Sequence, residues 1–322
     1  MQRARAHLSA AIEGKIAAFD FRDTALRKDV KSLLSEAREL LSRLLDFLPA
    51  RSRVDWANCR AAMWTASPVG GEFVAHPELD DIELDDLLCV DDQKAGIDLN
   101  TRQFLAGAPA NNVLLWGARG TGKSSLIHGL LNRYFASGLR LVEVNKTLLT
   151  ALPQIVVQLS AEPYRFVLFC DDLSFEADDA SYKVLKSALE GSVFKSSSNV
   201  LIYATSNRRH LLPEYMSDNE QAAFVDGELH QSEAVEEKIS LSDRFGLWFS
   251  FYPFKQQAYL DVAIHWLDKL SAAHGVTMTF DDEVRAEALR WALARGVRSG
   301  RTAQHFARHW VGRLVIEQQS KE

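Results

Sequence analysis

The stretch VLLWGARGTGKSSLIHGLL, residues 113–131, decides the fold of this chain. It opens with a short apolar run, passes through GARGTGKS (Gly117–Ser124) and continues into a segment of helical character that reaches Phe135. The middle part matches the pattern G-x-x-x-x-G-K-[S/T] in full. Glycines let backbone N–H groups curl around a phosphate, and the N-terminus of the following helix favours an anion. The order strand, loop and helix therefore predicts a phosphate-binding loop.

Each part of this loop has an expected task. Lys123 is expected to reach the outer phosphate oxygens, and the Ser124 hydroxyl is expected to bind Mg²⁺. The backbone around them should surround the phosphates. The residues expected to bind the nucleotide here are Gly117, Ala118, Arg119, Gly120, Thr121, Gly122, Lys123, Ser124 and Ser125.

A second stretch, RFVLFCDDLSF (residues 165–175), places two acids after an apolar run. Phe166–Cys170 is typical of a buried strand that delivers Asp171 and Asp172 to the carboxyl edge of a sheet. In P-loop NTPases the first such acid holds the Mg²⁺ shell. We therefore expect Asp171 to hold the Mg²⁺ shell.

Apolar runs rich in β-forming residues recur along the middle of the chain, with helix-like segments between most of them. This alternation predicts an α/β fold, a three-layer core in which helices cover both faces of a parallel sheet. The runs that follow the one before the loop are 139–144, 166–170, 200–205 and 247–252.

The chain on either side of this core is expected to be helical. Leucines recur at helical spacing over 31–48, and we expect Leu33 in the buried stripe of that helix. Residues 51–74 look like further core of the same small unit, and the acidic run 78–92 like a solvated linker. The expected domains are a helical N-terminal unit with its linker at 1–86, an α/β nucleotide-binding domain at 87–253, and a helical lid at 254–322.

Composition narrows the classes of function. The 322 residues carry a formal net charge of -6, which opposes broad attraction to the phosphate backbone of nucleic acid. Cys59, Cys89 and Cys170 are far apart in sequence and predict neither a disulfide framework nor a zinc site, which favours the cytoplasm. No stretch approaches the eighteen or so apolar residues of a membrane span, so none is expected.

From about Leu87 to the C-terminus, further segments resemble those of the AAA+ ATPase superfamily, in that family's order. The resemblance implies ATP and Mg²⁺ as cofactors. VLIYATSN (200–207) resembles the segment called sensor 1, which implies that Asn207 positions the attacking water. SLSDRFG (240–246) resembles the arginine-finger segment, which implies that Arg244 acts in a neighbouring subunit's site.

Two further segments are implied to contact the nucleotide. GVRSGRTAQHF (296–306) resembles the sensor 2 region, where Arg301, or alternatively Arg298, contacts the nucleotide from the lid. LLCVDDQK (87–94) resembles the segment beside the adenine, so that Leu88 or Val90 packs on the base.

More narrowly, the chain is similar to an uncharacterised bacterial AAA+ group known as a family of unknown function. The stretches that carry this similarity are PANNVLLWGARGTGKSS (109–125), FCDDLSFE (169–176) and EKISLSDRFGLWFSFYP (237–253). The similarity brings no known substrate.

The chain departs from the AAA+ pattern at the acidic pair. The usual second acid is a glutamate that polarises water, whereas this chain has Asp172, which is one methylene shorter. An error of about 1 Å in position can cost about a hundredfold in rate, so hydrolysis is expected to be slow, with Glu176 as an alternative acid. A long acidic stretch at 214–237 is expected to be a partner-binding or a solvated loop.

These features predict an ATPase in which Lys123, Asp172, Asn207 and Arg244 are catalytic and Ser124 and Asp171 hold the metal. It is expected to form a homo-oligomer, ring- or hexamer-like, and to remodel an unidentified protein partner. A slow ATP-dependent switch or scaffold is the first alternative. A nucleic-acid-associated loader is the second, and the net charge argues against it.

Overall fold

A computed structural model describes residues 33, 36, 39, 54–67, 70–76, 78–175, 180–190, 198–209, 211, 223–225, 228–230 and 241–320. The chain divides into two compact units, Met1–Arg51 and Ser52–Glu322. In the first unit Leu33, Glu36 and Glu39 are helical. Leu33 is 66% exposed, so the prediction that it lies in a buried stripe is wrong.

Seven strands of the second unit form one sheet in the order β2-β1-β4-β5-β6-β3-β9. All neighbouring pairs are parallel except β1 with β2. A separate antiparallel pair is formed by β7 and β8. The strands are β1 Ala61–Ser67, β2 Gly70–Ala75, β3 Val113–Gly117, β4 Leu139–Glu143, β5 Arg165–Cys170, β6 Val200–Ser206, β7 Ala223–Val225, β8 Glu228–His230 and β9 Leu247–Phe251.

The helices follow the strands as the alternating pattern predicts, and three of them close the chain. Short 3₁₀ turns at Leu84–Asp86, Phe135–Ser137 and Lys146–Ala151 connect elements of the core. The α-helices are α1 Asp91–Leu105, α2 Lys123–Tyr134, α3 Leu152–Leu159, α4 Ala180–Leu189, α5 Gln256–His274, α6 Asp282–Ala294 and α7 Gly300–Gln319.

The sheet is buried on both faces, as its nearly continuous apolar strands require. Successive side chains of a strand point to opposite faces. On β3, Leu114 belongs to one hydrophobic cluster, while Val113 and Leu115 belong to the other. On β5, Phe166 and Val167 divide between the two clusters in the same way. The prediction of a three-layer α/β core is confirmed.

The structure corrects the expectation for residues 61–75, which the sequence places in the helical N-terminal unit. They form the β1–β2 hairpin, and β1 extends the sheet by pairing in parallel with β4. Aromatic side chains of the hairpin and of the segment before it pack on the core: the rings of Trp64 and Phe73 lie 4.8 Å apart, and that of Trp56 lies 5.0 Å from Phe166. Burial of these rings accounts for the position of the hairpin in the sheet.

The three C-terminal helices have a hydrophobic core of their own. Tyr259 and Leu267 of α5 and Phe306 of α7 are among its buried members. These helices lie in the same compact unit as the sheet, and their separation as a lid domain at 254–322 stays a prediction.

The acidic run 78–92 is not simply a solvated linker, because Asp86 within it is only 5% exposed. The Lys269 ammonium of α5 lies 2.6 Å from both Asp86 carboxylate oxygens, and His265 Nε2 lies 3.0 Å from Oδ1. The Glu83 backbone N–H donates to Oδ2 at 2.9 Å. Burial by itself would raise the pKa of Asp86, but these partners outweigh it and lower that pKa. Asp86 therefore ties the segment before α1 to the C-terminal helices as a carboxylate.

Two expectations fall mainly on undescribed positions. Glu176 lies outside the described residues, and so does the stretch 214–237 apart from β7 and β8. In the parts of the chain that the structure does describe, none of the helices combines the length and apolar character needed to cross a bilayer.

We expect Asp86→Asn to lower the free energy of unfolding by about 2 kcal/mol at neutral pH, because a buried charged hydrogen-bond set is lost. Asp85→Asn is the matched control. Asp85 is the residue before Asp86, and its carboxylate is 80% exposed and pairs with Arg133 at the surface. That change should cost less than about 1 kcal/mol. Urea denaturation measures both, and equal losses would contradict the role of Asp86.

The difference in the free energy of unfolding between wild type and Asp86→Asn should depend on pH, and the direction of this dependence can be predicted. Folding lowers the pKa of this carboxyl group, so its full contribution to the stability of the folded protein is present above its ordinary pKa of 3.8. The advantage of wild type should therefore persist above that pH and shrink as the pH falls through the lowered folded-state pKa. An advantage that does not change in acid would contradict the ionised state of Asp86.

Candidate functional site

The loop between β3 and α2 lines one side of a cavity of about 720 Å³, a size typical of small-ligand sites. The loop needs glycine at several points, and Gly117 shows why. Its φ is +128°, and a Cβ there would lie 2.0 Å from the Phe251 carbonyl oxygen of β9. Ala118 N–H donates to the same oxygen at 2.9 Å. The β3–β9 pairing thus fixes the start of the loop.

Lys123, the first residue of α2, is only 7% exposed. Its ammonium donates to the carbonyl oxygens of Gly117 and Ala118 at 2.8 Å each and to Asn207 Oδ1 at 3.3 Å. Burial lowers its pKa most strongly. Asp171 and Asp172 oppose this shift, while Arg119 and Arg301 add to it. A negatively charged group in the cavity would favour the charged ammonium.

Asp171, one of the two residues expected to hold the metal, lies beside Ser124, the other. Its Oδ1 accepts hydrogen bonds from Ser124 Oγ at 2.7 Å and from Thr205 Oγ1 at 2.5 Å. Thr205 Oγ1 also accepts from the Asp172 N–H at 2.8 Å. The buried Thr205 side chain therefore holds the end of β5 in place from β6.

Sequence reasoning did not identify Thr205, although it lies within the quoted stretch VLIYATSN. The available signal was its position two residues before Asn207, near the end of a strand that is parallel to β5. A hydroxyl at that position faces the acids that end the neighbouring strand.

Asp172 has a left-handed backbone with φ +49°, which is uncommon for a residue other than glycine. Its carboxylate accepts a hydrogen bond from Asn207 Nδ2, and Arg119 Nη2 lies 3.9 Å from its Oδ2. Asn207 thus joins Lys123 on one side to Asp172 on the other. Residues held in sparsely populated backbone regions cluster at functional sites.

The C-terminal helices close another side of the cavity. Arg301 N–H donates to the Gly120 carbonyl oxygen at 3.1 Å, which joins α7 to the loop. Ser299 caps α7 by accepting from Thr302 N–H at 3.2 Å. Arg301 lines the cavity, and the lining set does not include Arg298, so the placement favours Arg301 of the two alternatives.

Most of the predicted site residues converge on this cavity. Gly117 and Ala118 lie behind it and contribute the carbonyl groups that hold Lys123. The predicted residues that line it are Arg119, Gly120, Thr121, Gly122, Lys123, Ser124, Ser125, Asp171, Asp172, Asn207, Arg301 and the adenine-pocket candidates Leu88 and Val90. Lining residues that the sequence did not indicate include Thr205, Trp266, Lys269, Gln304 and Arg308.

Arg244 is not among the residues that line the cavity. It follows a helical turn at 241–242, and its side chain is bound to Glu190 at the end of α4. The Glu190 Oε1 accepts from Arg244 Nε at 2.9 Å and from Nη2 at 2.6 Å. The predicted role of Arg244 in a neighbouring subunit stays a prediction.

The donor set fits magnesium. Ser124 and Asp171 present a hydroxyl and a carboxylate, the oxygen ligands that Mg²⁺ prefers. Across the described part of the chain, no three His, Cys, Asp or Glu side chains converge on a metal site. Mg²⁺ is commonly held by one or two carboxylates together with waters and substrate phosphates, and this pair of side chains suits that mode of binding.

Comparisons with known proteins show the family of the chain. The model of a family described as "Protein of unknown function (DUF815)" matches residues 57–314, so the chain belongs to that family. No curated protein matches the sequence.

The chain is also similar to solved structures. The chain is similar to a point mutant of Thermotoga maritima RuvB, with a TM-score of 0.51 and 16% identity over 74% of this chain and 68% of that one. It also matches a second point mutant of that protein, with a TM-score of 0.47 and 17% identity over 70% of this chain and 63% of that one. The Aeropyrum pernix ORC1 protein, solved in complex with DNA, matches with a TM-score of 0.45 and 16% identity over 69% of this chain and 61% of that one. The first likeness confirms the α/β P-loop NTPase fold.

We expect Thr205→Val to weaken Mg²⁺-dependent nucleotide binding by about tenfold, the equivalent of ~1.4 kcal/mol. Valine has a similar shape but neither accepts from the Asp172 N–H nor donates to Asp171. Thr205→Ser, which keeps the hydroxyl, should bind within about twofold of wild type. Isothermal titration with ATP and Mg²⁺ measures both, and unchanged binding by the valine variant would refute this role of Thr205.

Proposed function

We propose that this chain is an ATPase that binds ATP with Mg²⁺ in the cavity between the glycine loop and the C-terminal helices. The observation that carries the proposal is the convergence of Lys123, Ser124, Asp171 and Arg301 on one cavity. The family brings no activity with it, and the structural likeness shows the fold alone. The proposal rests on the side chains and their contacts.

Phosphate binding follows from the loop and from Lys123. Positive-φ glycines free the backbone N–H groups of the loop to face a phosphate. Lys123 is held at the base of the loop by two carbonyl groups, within reach of the same ligand. Arg301 approaches from α7 on the other side of Gly120. Three sources of positive potential therefore surround a polyphosphate.

Ser124 and Asp171 would hold Mg²⁺, which supplies charge neutralisation to the phosphate oxygens when bound. Their orientation is fixed before any ligand arrives, because the Ser124 hydroxyl and Thr205 both donate to Asp171 Oδ1. Pre-oriented ligands are a general requirement for an effective metal site.

Asp172 is the acid that we assign to the attacking water, with Asn207 as its positioning partner. The Asn207 amide donates to Asp172 and accepts from Lys123, so the acid and the phosphate-binding lysine share one contact. Glu176 stays an alternative acid from outside the described residues. The shorter reach of aspartate leads us to expect slow turnover.

We assign Arg244 to a neighbouring copy of the chain. Within one chain it does not line the cavity, yet a cation that stabilises charge on the transferred phosphate can be supplied in trans. This assignment implies a homo-oligomer, ring- or hexamer-like, in which each site is completed by the next chain. Hydrolysis would then move the C-terminal helices through Arg301 and remodel a protein partner.

One observation favours a second candidate, an ATP-dependent switch or scaffold that hardly hydrolyses ATP. The Asp172 carboxylate is already engaged by Asn207 and lies near Arg119. A base that is occupied in this way activates water poorly.

Arg244→Ala should lower the turnover of the assembled protein by at least about a thousandfold, while the Kd for ATP stays within about twofold of wild type. The reason is that the lost cation acts on the transition state and not on the bound nucleotide. Glu190→Gln is the control, because it removes the ionic partner of Arg244 while leaving the arginine in place. Its turnover should remain measurable.

A mixing experiment tests whether Arg244 acts in trans. Chains carrying Arg244→Ala have intact nucleotide sites, and chains carrying Lys123→Ala keep the arginine. Mixed at a concentration at which the protein assembles, the two inactive variants should recover part of the wild-type turnover. Lack of recovery in mixed assemblies would place the arginine in cis, and full turnover of Arg244→Ala alone would exclude it altogether.

Asp172→Asn distinguishes the ATPase from the switch. We expect turnover to fall at least about tenfold with ATP affinity retained, since general-base assistance contributes about 10² or more. Glu176→Gln is the comparison variant and should leave turnover nearly unchanged. A negligible wild-type rate that neither change affects would favour the switch.

A further inference from the structure

The cavity extends well beyond the glycine loop. Asn132 of α2 lies nine residues after Lys123, which is about 13 Å further along the helix. Its side-chain amide donates to the carbonyl oxygens of Asp80 and Ile82, each at 2.9 Å. Asp80 and Ile82 both line the cavity. One end of the cavity therefore lies at the loop and the other lies more than two helical turns away.

Helix α7 runs along this length with one face toward the cavity. Arg301, Gln304 and Arg308 are spaced i, i+3 and i+7, which places them on the same side of a helix, and all three line the cavity. The bond from Arg301 N–H to Gly120 fixes the start of α7 at the loop. Arg308 lies about 10 Å further along the axis, toward the distant end.

Three other arginines in this part of the chain are engaged by protein groups. Arg290 pairs with Glu287, and Arg313 pairs with Glu317 at 3.4 Å and lies over the Trp310 ring. Arg295 lies 3.5 Å from the centre of the Trp291 ring. Within the described ranges, the Arg308 side chain has neither a hydrogen bond nor an ion pair with another residue.

The walls around the distant end suit a planar, weakly polar group. Val262 and Trp266 of α5 line the cavity on this side, and each of these side chains is at most 9% exposed. Lys269 also lines this end, but its charge is engaged by Asp86 at 2.6 Å. Among the described residues at this end, Arg308 is therefore a cation that is available to a ligand.

We propose that Arg308, supported by Gln304, binds the sugar–base half of the nucleotide. This inference rests on the proposed function, because it assumes that the phosphates lie at the loop. A planar guanidinium can stack on a heteroaromatic ring and donate hydrogen bonds to ring nitrogens or ribose hydroxyls. Arg308 then sets the affinity that ATP and ADP share, whereas Arg301 sets the preference for the triphosphate.

Titrations with three ligands separate these two roles. ATP and ADP contain the sugar and base, and inorganic tripolyphosphate lacks them. Arg308→Ala should weaken ATP and ADP by the same factor, about tenfold, and leave tripolyphosphate unchanged. Arg301→Ala should weaken ATP and tripolyphosphate more than ADP. Arg308→Lys keeps the charge without the planar group, so it should recover less than half of the lost binding free energy.

Arg313→Ala is the matched control, because Arg313 is an exposed arginine five residues further along the same helix. Its affinities for all three ligands should equal those of wild type. Thermal melting of each variant verifies that the fold is retained.

The outcomes separate failure of this inference from failure of the proposed function. If the wild-type chain binds neither ATP nor tripolyphosphate, the proposed function fails. If wild type binds ATP and Arg308→Ala binds it equally well, the inference fails alone. An Arg308→Ala variant that loses tripolyphosphate as strongly as ATP would make Arg308 a phosphate contact and overturn its assignment to the sugar and base.

Discussion

The geometry of the site depends on one carboxylate oxygen, Asp171 Oδ1. It accepts hydrogen bonds from Ser124 at the start of α2 and from Thr205 near the end of β6, while Asp171 itself follows β5. Three elements that are distant in sequence therefore meet at a single acceptor. The same threonine fixes the Asp172 backbone, so the acids proposed to bind the metal and to activate water share one support. Charge-assisted bonds of this kind are about twice as strong as neutral ones, which suits a pre-oriented site.

The C-terminal helices are joined to the core at both ends of the cavity. At the loop end the connection is a backbone hydrogen bond from Arg301 to Gly120. At the distant end it is the buried Asp86 carboxylate with Lys269. A nucleotide bound between these contacts would touch both the core and the helices, so its presence would bias how the helices sit on the core. Coupling of ligand to conformation requires such differential contacts.

The sequence predicted well those features that depend on local pattern. The glycine loop, the five parallel strands around it and the two acids after β5 each have a signature within about ten residues. The β1–β2 hairpin does not, because its partner strand β4 lies more than sixty residues away and the burial of Trp56 and Trp64 depends on it. Asp86 was misread for a similar reason. A run of acids is usually solvated, and Lys269, which makes this one an exception, is 183 residues further along the chain.

Binding and hydrolysis make different demands on this architecture. On the proposed function, the groups that hold the phosphates and the metal come from one chain and are already oriented by contacts within it. Two of the groups assigned to hydrolysis are instead engaged elsewhere: Asp172 by Asn207 and Arg244 by Glu190. Each must exchange a protein partner for water or for a neighbouring chain's phosphate before it can act. Nucleotide binding should therefore need only the single chain, whereas turnover should rise with assembly, because only assembly offers Arg244 a stronger partner than Glu190.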